Sequence, residues 1–249
     1  MLIDAKELDE KAPLTADVCV VGAGPAGLAI ASALARADIP TIVLEQAGRS
    51  AIGGNALRWL IELGRKSKNG VRLAPLPPET FNARPGLDLP GWPIAATDLA
   101  PYYRQAQQVF GLSPFGFSAD EWEEPGALRL PLPTDRLATS MYQFAEGRAI
   151  HQDLVRSLVD AEHVRIVHGA VVREITTTEG GTRAQGVMVA TASGHSLEIR
   201  TPTIVLAAGG LDNAHLLMLS QRGRQTAIGD ENGVLGRHYM EHPLLDGGD

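Results

Sequence analysis

The sequence of 249 residues carries a single cysteine and an aromatic fraction of only 5%. One thiol excludes an internal disulfide and any thiolate metal cluster. Its place in an apolar run marks Cys19 as a packing residue rather than a reactive one. Positive charge is also scarce. With 22 Lys and Arg against 29 Asp and Glu, the formal net charge of −7 leaves no basic surface for nucleic acid or anionic lipid. The first fifteen residues, MLIDAKELDEKAPLT, lack both a basic start followed by an apolar stretch and paired arginines, so no export signal is expected and the cytoplasm is the default location. No G-x-S-x-G, H-E-x-x-H or Walker-type loop occurs, which leaves hydrolase and phosphotransfer chemistry without a motif. The longest uncharged stretch, Val18 to Ala35, is broken by three glycines and a proline and switches from strand to helix pattern, so no membrane span is expected. What remains, at 44% hydrophobic and 20% charged, is an ordinary globular composition with enough chain for one large or two small domains.

The most informative stretch is ADVCVVGAGPAGLAIASALARADIPTIVLE, residues 16–45. Val18, Cys19, Val20 and Val21 form the apolar run of a strand buried on both faces. Gly22, Gly24 and Gly27 follow at G-x-G-x-x-G spacing: the first for a sharp turn, the second so that a pyrophosphate can approach the backbone, the third for close helix–strand packing. An alanine-rich helix over 26–37 then presents free N–H groups and its positive dipole end to the phosphates, and Pro25 fits an early helical position where its missing donor is no loss. Thr41 to Leu44 form a second strand ending in Glu45, eighteen residues beyond Gly27, where a carboxylate accepts hydrogen bonds from a ribose diol and repels a 2′-phosphate. The spacing therefore predicts a site for FAD or NAD rather than NADP.

Of the 16 prolines, 11 fall between Pro75 and Pro133, with Trp92 and Trp122 among them. This reads as an irregular excursion with core aromatics and one helix, N-capped by Thr97 and running through Asp98 to Phe110 with Gly111 as its stop. A further helix is expected from Ala149 to Asp160. Val164–His168, Val171–Thr177, Ala184–Ala192 and His195–Arg200 read as a parallel strand followed by a small antiparallel meander. Thr203–Leu206 is another apolar strand, opening through Ala207-Ala208-Gly209-Gly210 into a helix over 212–220, a second edge for the same ligand. The fold class is therefore α/β: a Rossmann-like dinucleotide-binding domain with a parallel sheet, the meander and a Pro-rich excursion.

On these stretches the chain resembles the glucose–methanol–choline (GMC) family of FAD-dependent oxidoreductases, in its sugar and polyol dehydrogenase and pyranose oxidase branch. Three further segments carry the likeness: GWPIAATDLAPYYRQAQQVFGL (91–112), TPTIVLAAGGLDNAHLLMLS (201–220) and NGVLGRHYMEHP (232–243). The resemblance implies that Gly22, Gly24, Ala26 and Gly27 hold the FAD pyrophosphate, and that Glu45, with Gln46 beside it, meets the adenosine ribose. It further places Gly53, Gly54, Asn55 and Trp59 in a loop beside the flavin, gives Val172 a backbone contact with adenine, and sets Ala208, Gly209 and Asn213 along the isoalloxazine. Arg58 stands where some relatives carry a flavin-linking histidine, so FAD is expected to be non-covalent.

The same resemblance divides the chain into residues 1–69 and 148–236 as two parts of the FAD domain, 70–147 as the excursion, and 237–249 as the start of a substrate domain. Family members are longer, and the histidine pair that removes the alcohol proton lies in their distal half. No catalytic base is therefore named, and a complementary C-terminal polypeptide, a sugar or alcohol substrate and an unidentified electron acceptor are the expected partners. Two alternatives stand beside this reading, a catalytically silent shortened nucleotide-binding module and an NAD-dependent dehydrogenase. His238 and His242 are four apart, but no third ligand is evident and Pro243 follows, so no metal site is expected.

Overall fold

The computed structural model describes all residues except 10–11, 55–59, 63–68, 88, 115, 127, 134, 136, 138, 147–153, 222–224 and 240–249. In chain order the strands and α-helices are β1 (Leu2–Asp4), β2 (Leu14–Thr15), β3 (Val18–Val21), α1 (Pro25–Arg36), β4 (Thr41–Glu45), β5 (Leu60–Glu62), β6 (Asn69–Leu73), α2 (Ala96–Val109), β7 (Gln143–Glu146), α3 (Val155–Val159), β8 (Val164–His168), β9 (Ala170–Thr177), β10 (Ala184–Thr191), β11 (Ser196–Arg200), β12 (Thr203–Leu206) and α4 (Gly210–Leu219). They fall into two units, Met1–Gly54 with Leu154–Asp249, and Asn55–Asp153.

In the first unit β3 and β4 are buried at every position, the signature of strands covered on both faces. They lie inside a five-stranded parallel sheet of order β1-β8-β4-β3-β12. Alternate side chains feed two cores. Val18, Val20, Val43, Val164 and Ile166 pack under Leu28 and Ala31 of α1 and Leu158 of α3. Cys19, Val21, Ile42, Leu44 and Val167 pack instead against Ile175, Val187, Val189, Leu197 and Ile199 of the meander β9-β10-β11 and against Leu216 of α4. α1 and α3 thus cover one face, and the antiparallel sheet with α4 covers the other, which confirms the α/β class with its parallel sheet and meander. The meander gains a fourth strand that the sequence pattern did not reveal, because the two-residue β2 pairs in parallel with β11. β1, three residues long, likewise joins the parallel sheet beside β8.

The second unit is more regular than its prolines suggest. β5, β6 and β7 form an antiparallel three-stranded sheet, of which β7 and nearly all of β6 fall in the stretch expected to be irregular and β5 precedes it. Helix α2 begins at Ala96, not after Thr97, because the Asp98 Oδ2 accepts from the Ala95 backbone N–H at 2.8 Å and sets Ala95 as the cap. It stops as expected where Gly111 takes a φ of +63°. Phe81 is buried, whereas Trp92, expected in the core, is 50% exposed and meets Phe81 on one side, ring centroids 6.1 Å apart. Of the helix expected over 149–160, α3 is the described part, and residues 149–153 lie outside the described residues.

Candidate functional site

The site is built at the carboxyl ends of β4, β3 and β12, where the chain, having stepped from β3 to β4 and β8, returns through β12 on the other side of β3. Such a reversal of strand order leaves a crevice at the sheet edge. The turn after β3 is pinned on both sides, since the Gly22 N–H donates to the Leu44 carbonyl at 2.9 Å and the Ala207 N–H to the Val21 carbonyl at 2.8 Å.

The three fingerprint glycines face three different surroundings. Gly22 has a φ of +107°, and a Cβ there would lie 2.5 Å from the Ala207 carbonyl oxygen, so it serves the close approach of β12 as well as the turn. A Cβ on Gly27 would lie 1.9 Å from the Gly22 carbonyl oxygen, which fixes how closely α1 meets β3. A Cβ on Gly24 would meet nothing within 4 Å. Gly24 is the N-cap of α1, no side chain caps that end, Pro25 occupies the first turn and Ala26 is exposed. The first turn of α1 therefore offers backbone N–H groups and a positive dipole end to open space, the arrangement a pyrophosphate needs.

Glu45 ends β4 beside this turn and is 7% exposed. Its Oε1 accepts from the Ala47 N–H at 3.0 Å. Burial raises its carboxyl above the ordinary value, and the backbone N–H groups of Ala47, Ala23 and Gln46 pull the other way without cancelling the effect. Gln46 itself is exposed. The chain after β4 then folds back on the glycine turn. The Gly53 N–H donates to the Ala23 carbonyl at 2.8 Å, Gly53 and Gly54 both have positive φ, and a Cβ on Gly54 would sit 3.0 Å from the Gly24 Cα. Asn55 and Trp59, predicted in the same loop, lie outside the described residues.

On the β12 side, Asn213 braces the strand end. Its Oδ1 accepts from the Ala208 N–H at 2.9 Å and its Nδ2 donates to the Leu206 carbonyl at 3.3 Å. Ala208 is half-buried, and Gly209, with a φ of +97°, caps α4. The structure thus brings together Gly22, Gly24, Pro25, Ala26, Gly27, Glu45, Gly53, Gly54, Ala208, Gly209 and Asn213. Val172 stands near the start of β9, whose preceding turn is tied to the loop after β4 by the Gly169 N–H donating to the Ala47 carbonyl at 2.8 Å. Ala23, Ala47 and Ala207 shape the site through backbone groups alone, which is why residue type did not single them out. His238 takes a φ of +59°, and His242 lies outside the described residues. Among the described residues no group of three His, Cys, Asp or Glu side chains is placed to hold a metal, and no helix is long and apolar enough to cross a membrane.

The chain is 25% identical over 191 residues to the 2-methyl-1,2-propanediol dehydrogenase of Mycolicibacterium austroafricanum, a match covering 61% of this chain and 35% of that protein. It is also 25% identical over 230 residues to a KsdD-like steroid dehydrogenase of Mycobacterium tuberculosis, covering 82% of this chain and 40% of that protein. The chain therefore spans well under half the length of these curated relatives. Among solved structures, the THI4 protein of Thermovibrio ammonificans shares the fold at a TM-score of 0.51 and 18% identity, over 85% of this chain and 64% of that one. The model of the FAD-dependent oxidoreductase family matches residues 17–239, from the start of β3 past α4. That match decides between the two dinucleotides the glycine spacing leaves open. The cofactor of this fold is FAD, and the chain belongs to the FAD-dependent oxidoreductase family.

Proposed function

We propose that the chain is the FAD-binding portion of a GMC-type dehydrogenase acting on the CH–OH group of a sugar, polyol or other small alcohol. The observation that carries the reading is the open space at Gly24, in front of an uncapped helix end and beside a buried carboxylate. Backbone N–H groups of the first turn of α1 would hold the pyrophosphate, and Glu45 would accept hydrogen bonds from the adenosine ribose and turn away a 2′-phosphate. Gly53 and Gly54 would leave the backbone free to approach the cofactor, with Ala208 and Gly209 along its redox-active end and Asn213 holding that edge in shape. Bound FAD supplies a two-electron acceptor for a substrate hydride. The group that takes the alcohol proton is expected, from the GMC resemblance, on a histidine pair contributed by a complementary C-terminal portion.

The diol dehydrogenase relative supports an alcohol as substrate. A second reading, dehydrogenation of a steroid-like ring, is favoured by the KsdD-like relative, whose match covers more of this chain. Titration of the apo chain with FAD, followed by turnover assays on alcohols, sugars and ketosteroids with an artificial electron acceptor, separates these readings. Saturable FAD binding and reduction by an alcohol support the first. Reduction by a ketosteroid alone moves the assignment to the second, and failure of well-folded chain to take up FAD refutes both.

A further inference from the structure

The strand pairing places a second polar group at the same sheet edge. β1, β8 and β4 are neighbours in parallel register, with Asp4 opposite His168 and His168 opposite Glu45. Two residues back along these strands stand Leu2, Ile166 and Val43, all packed in the core beneath α1 and α3. Side chains two apart share a face, so Asp4, His168 and Glu45 form a row on the helix-bearing face at its carboxyl edge, the face on which α1 begins.

His168 is half-buried, and its imidazole forms no hydrogen bond among the described residues. Two backbone links tie it to Glu45: the Glu45 Oε1 accepts from the Ala47 N–H at 3.0 Å, and the Ala47 carbonyl accepts from the N–H of Gly169, next to His168, at 2.8 Å. On the other side the Asp4 carboxyl is held below its ordinary value, chiefly by Lys6 and also by His168. Gly169 has a φ of +69°, and a Cβ there would make only ordinary contact with the Asp4 Oδ1, at 3.7 Å.

A dinucleotide with its pyrophosphate at Gly24 and its ribose on Glu45 runs from β3 across β4. Continued in that direction, the next group is the adenine and the next strand is β8, about 5 Å further on. We propose that His168 is an adenosine-binding residue whose imidazole, at once donor and acceptor when neutral, meets a polar atom of the adenine. This rests on the reading of Gly22 to Gly27 and Glu45 as the dinucleotide site, and it adds a side-chain contact to the backbone contact with adenine that the GMC resemblance implies for Val172.

The test is titration of the full chain with FAD and with ADP, which carries the adenosine and pyrophosphate alone. His168→Ala is expected to weaken both ligands by the same factor, about fivefold, the loss of one hydrogen bond. The thermal midpoint of the ligand-free chain is expected to stay unchanged, and His168→Asn, which keeps a donor and an acceptor, to recover part of the affinity. Unchanged ADP affinity in His168→Ala overturns the proposal. So does a loss matched by a lower ligand-free midpoint that His168→Asn does not recover, since that is a packing role. A wild-type chain that binds neither FAD nor ADP removes the underlying site as well, and is recognised without any variant.

Discussion

The position of a Cβ on Gly27 falls 1.9 Å from the carbonyl oxygen of Gly22, so the first turn of α1 rests on the turn that precedes it with no room for a methyl group. Gly27→Ala forces two backbone segments apart. We expect it to cost about 3 kcal/mol or more, the upper range for overpacking, because backbone cannot yield as a side chain does. A lower thermal midpoint, together with loss of FAD binding, is the expected result.

Gly24→Ala separates binding from folding. Its Cβ meets no protein atom and its φ of −78° suits any residue, so the ligand-free chain should melt within a degree or two of wild type. The methyl group instead enters the space assigned to the pyrophosphate. FAD affinity, read by flavin fluorescence, is expected to drop at least tenfold. Equal affinity in the two chains would place the phosphates elsewhere.

Glu45 couples the site to pH. Because burial raises its carboxyl, the folded chain binds this proton more tightly than the unfolded chain does. Its stabilising effect is complete below the unfolded carboxyl value and is lost as pH rises through the raised folded value. Glu45→Gln removes that slope, so its ligand-free stability should vary less between acid and neutral pH and be no lower at pH 7. FAD affinity should nevertheless fall by about tenfold, as an amide replaces one acceptor of a charged hydrogen bond. Chemical denaturation across pH, paired with FAD titration, checks both halves.

Ser220 joins α4 to the meander. Its hydroxyl donates to the Leu216 carbonyl at 2.7 Å and accepts from the Ile175 N–H at 2.8 Å, all in the buried interior. Ser220→Ala leaves that N–H unsatisfied and should cost about 1–3 kcal/mol in denaturant unfolding. FAD affinity of the folded fraction should be unchanged, since the serine stands at the far end of α4 from Gly209.

The parts of this fold legible in the sequence are those with strong local signals. Val18–Val21 and Thr203–Leu206 are continuous apolar runs, and the glycines between β3 and α1 occur at a spacing that few other structures need. β1, β2 and the strands of the second unit are short, two to five residues, and exist because a neighbouring edge pairs with them. Too few residues are present for alternation to show. The start of α2 departs from its expected place for a different reason. Thr97 is the better capping residue by type, yet Asp98 reaching back to Ala95 sets the boundary. At the site, the carboxylate at 45 was readable from its distance to Gly27. The links Glu45–Ala47–Gly169 were not, because main-chain donors and acceptors are the same at every non-proline position.

Cys19, in the middle of β3, has no exposed surface, and burial pushes its thiol up to about 12. Since β3 is held by β4 on one side and β12 on the other, the sulfur meets a thiol reagent only when the central layer comes apart. The chain thus contains its own alkylation clock, whose rate reports whole-domain opening without an introduced probe and slows in proportion to any nucleotide that holds the sheet edge closed.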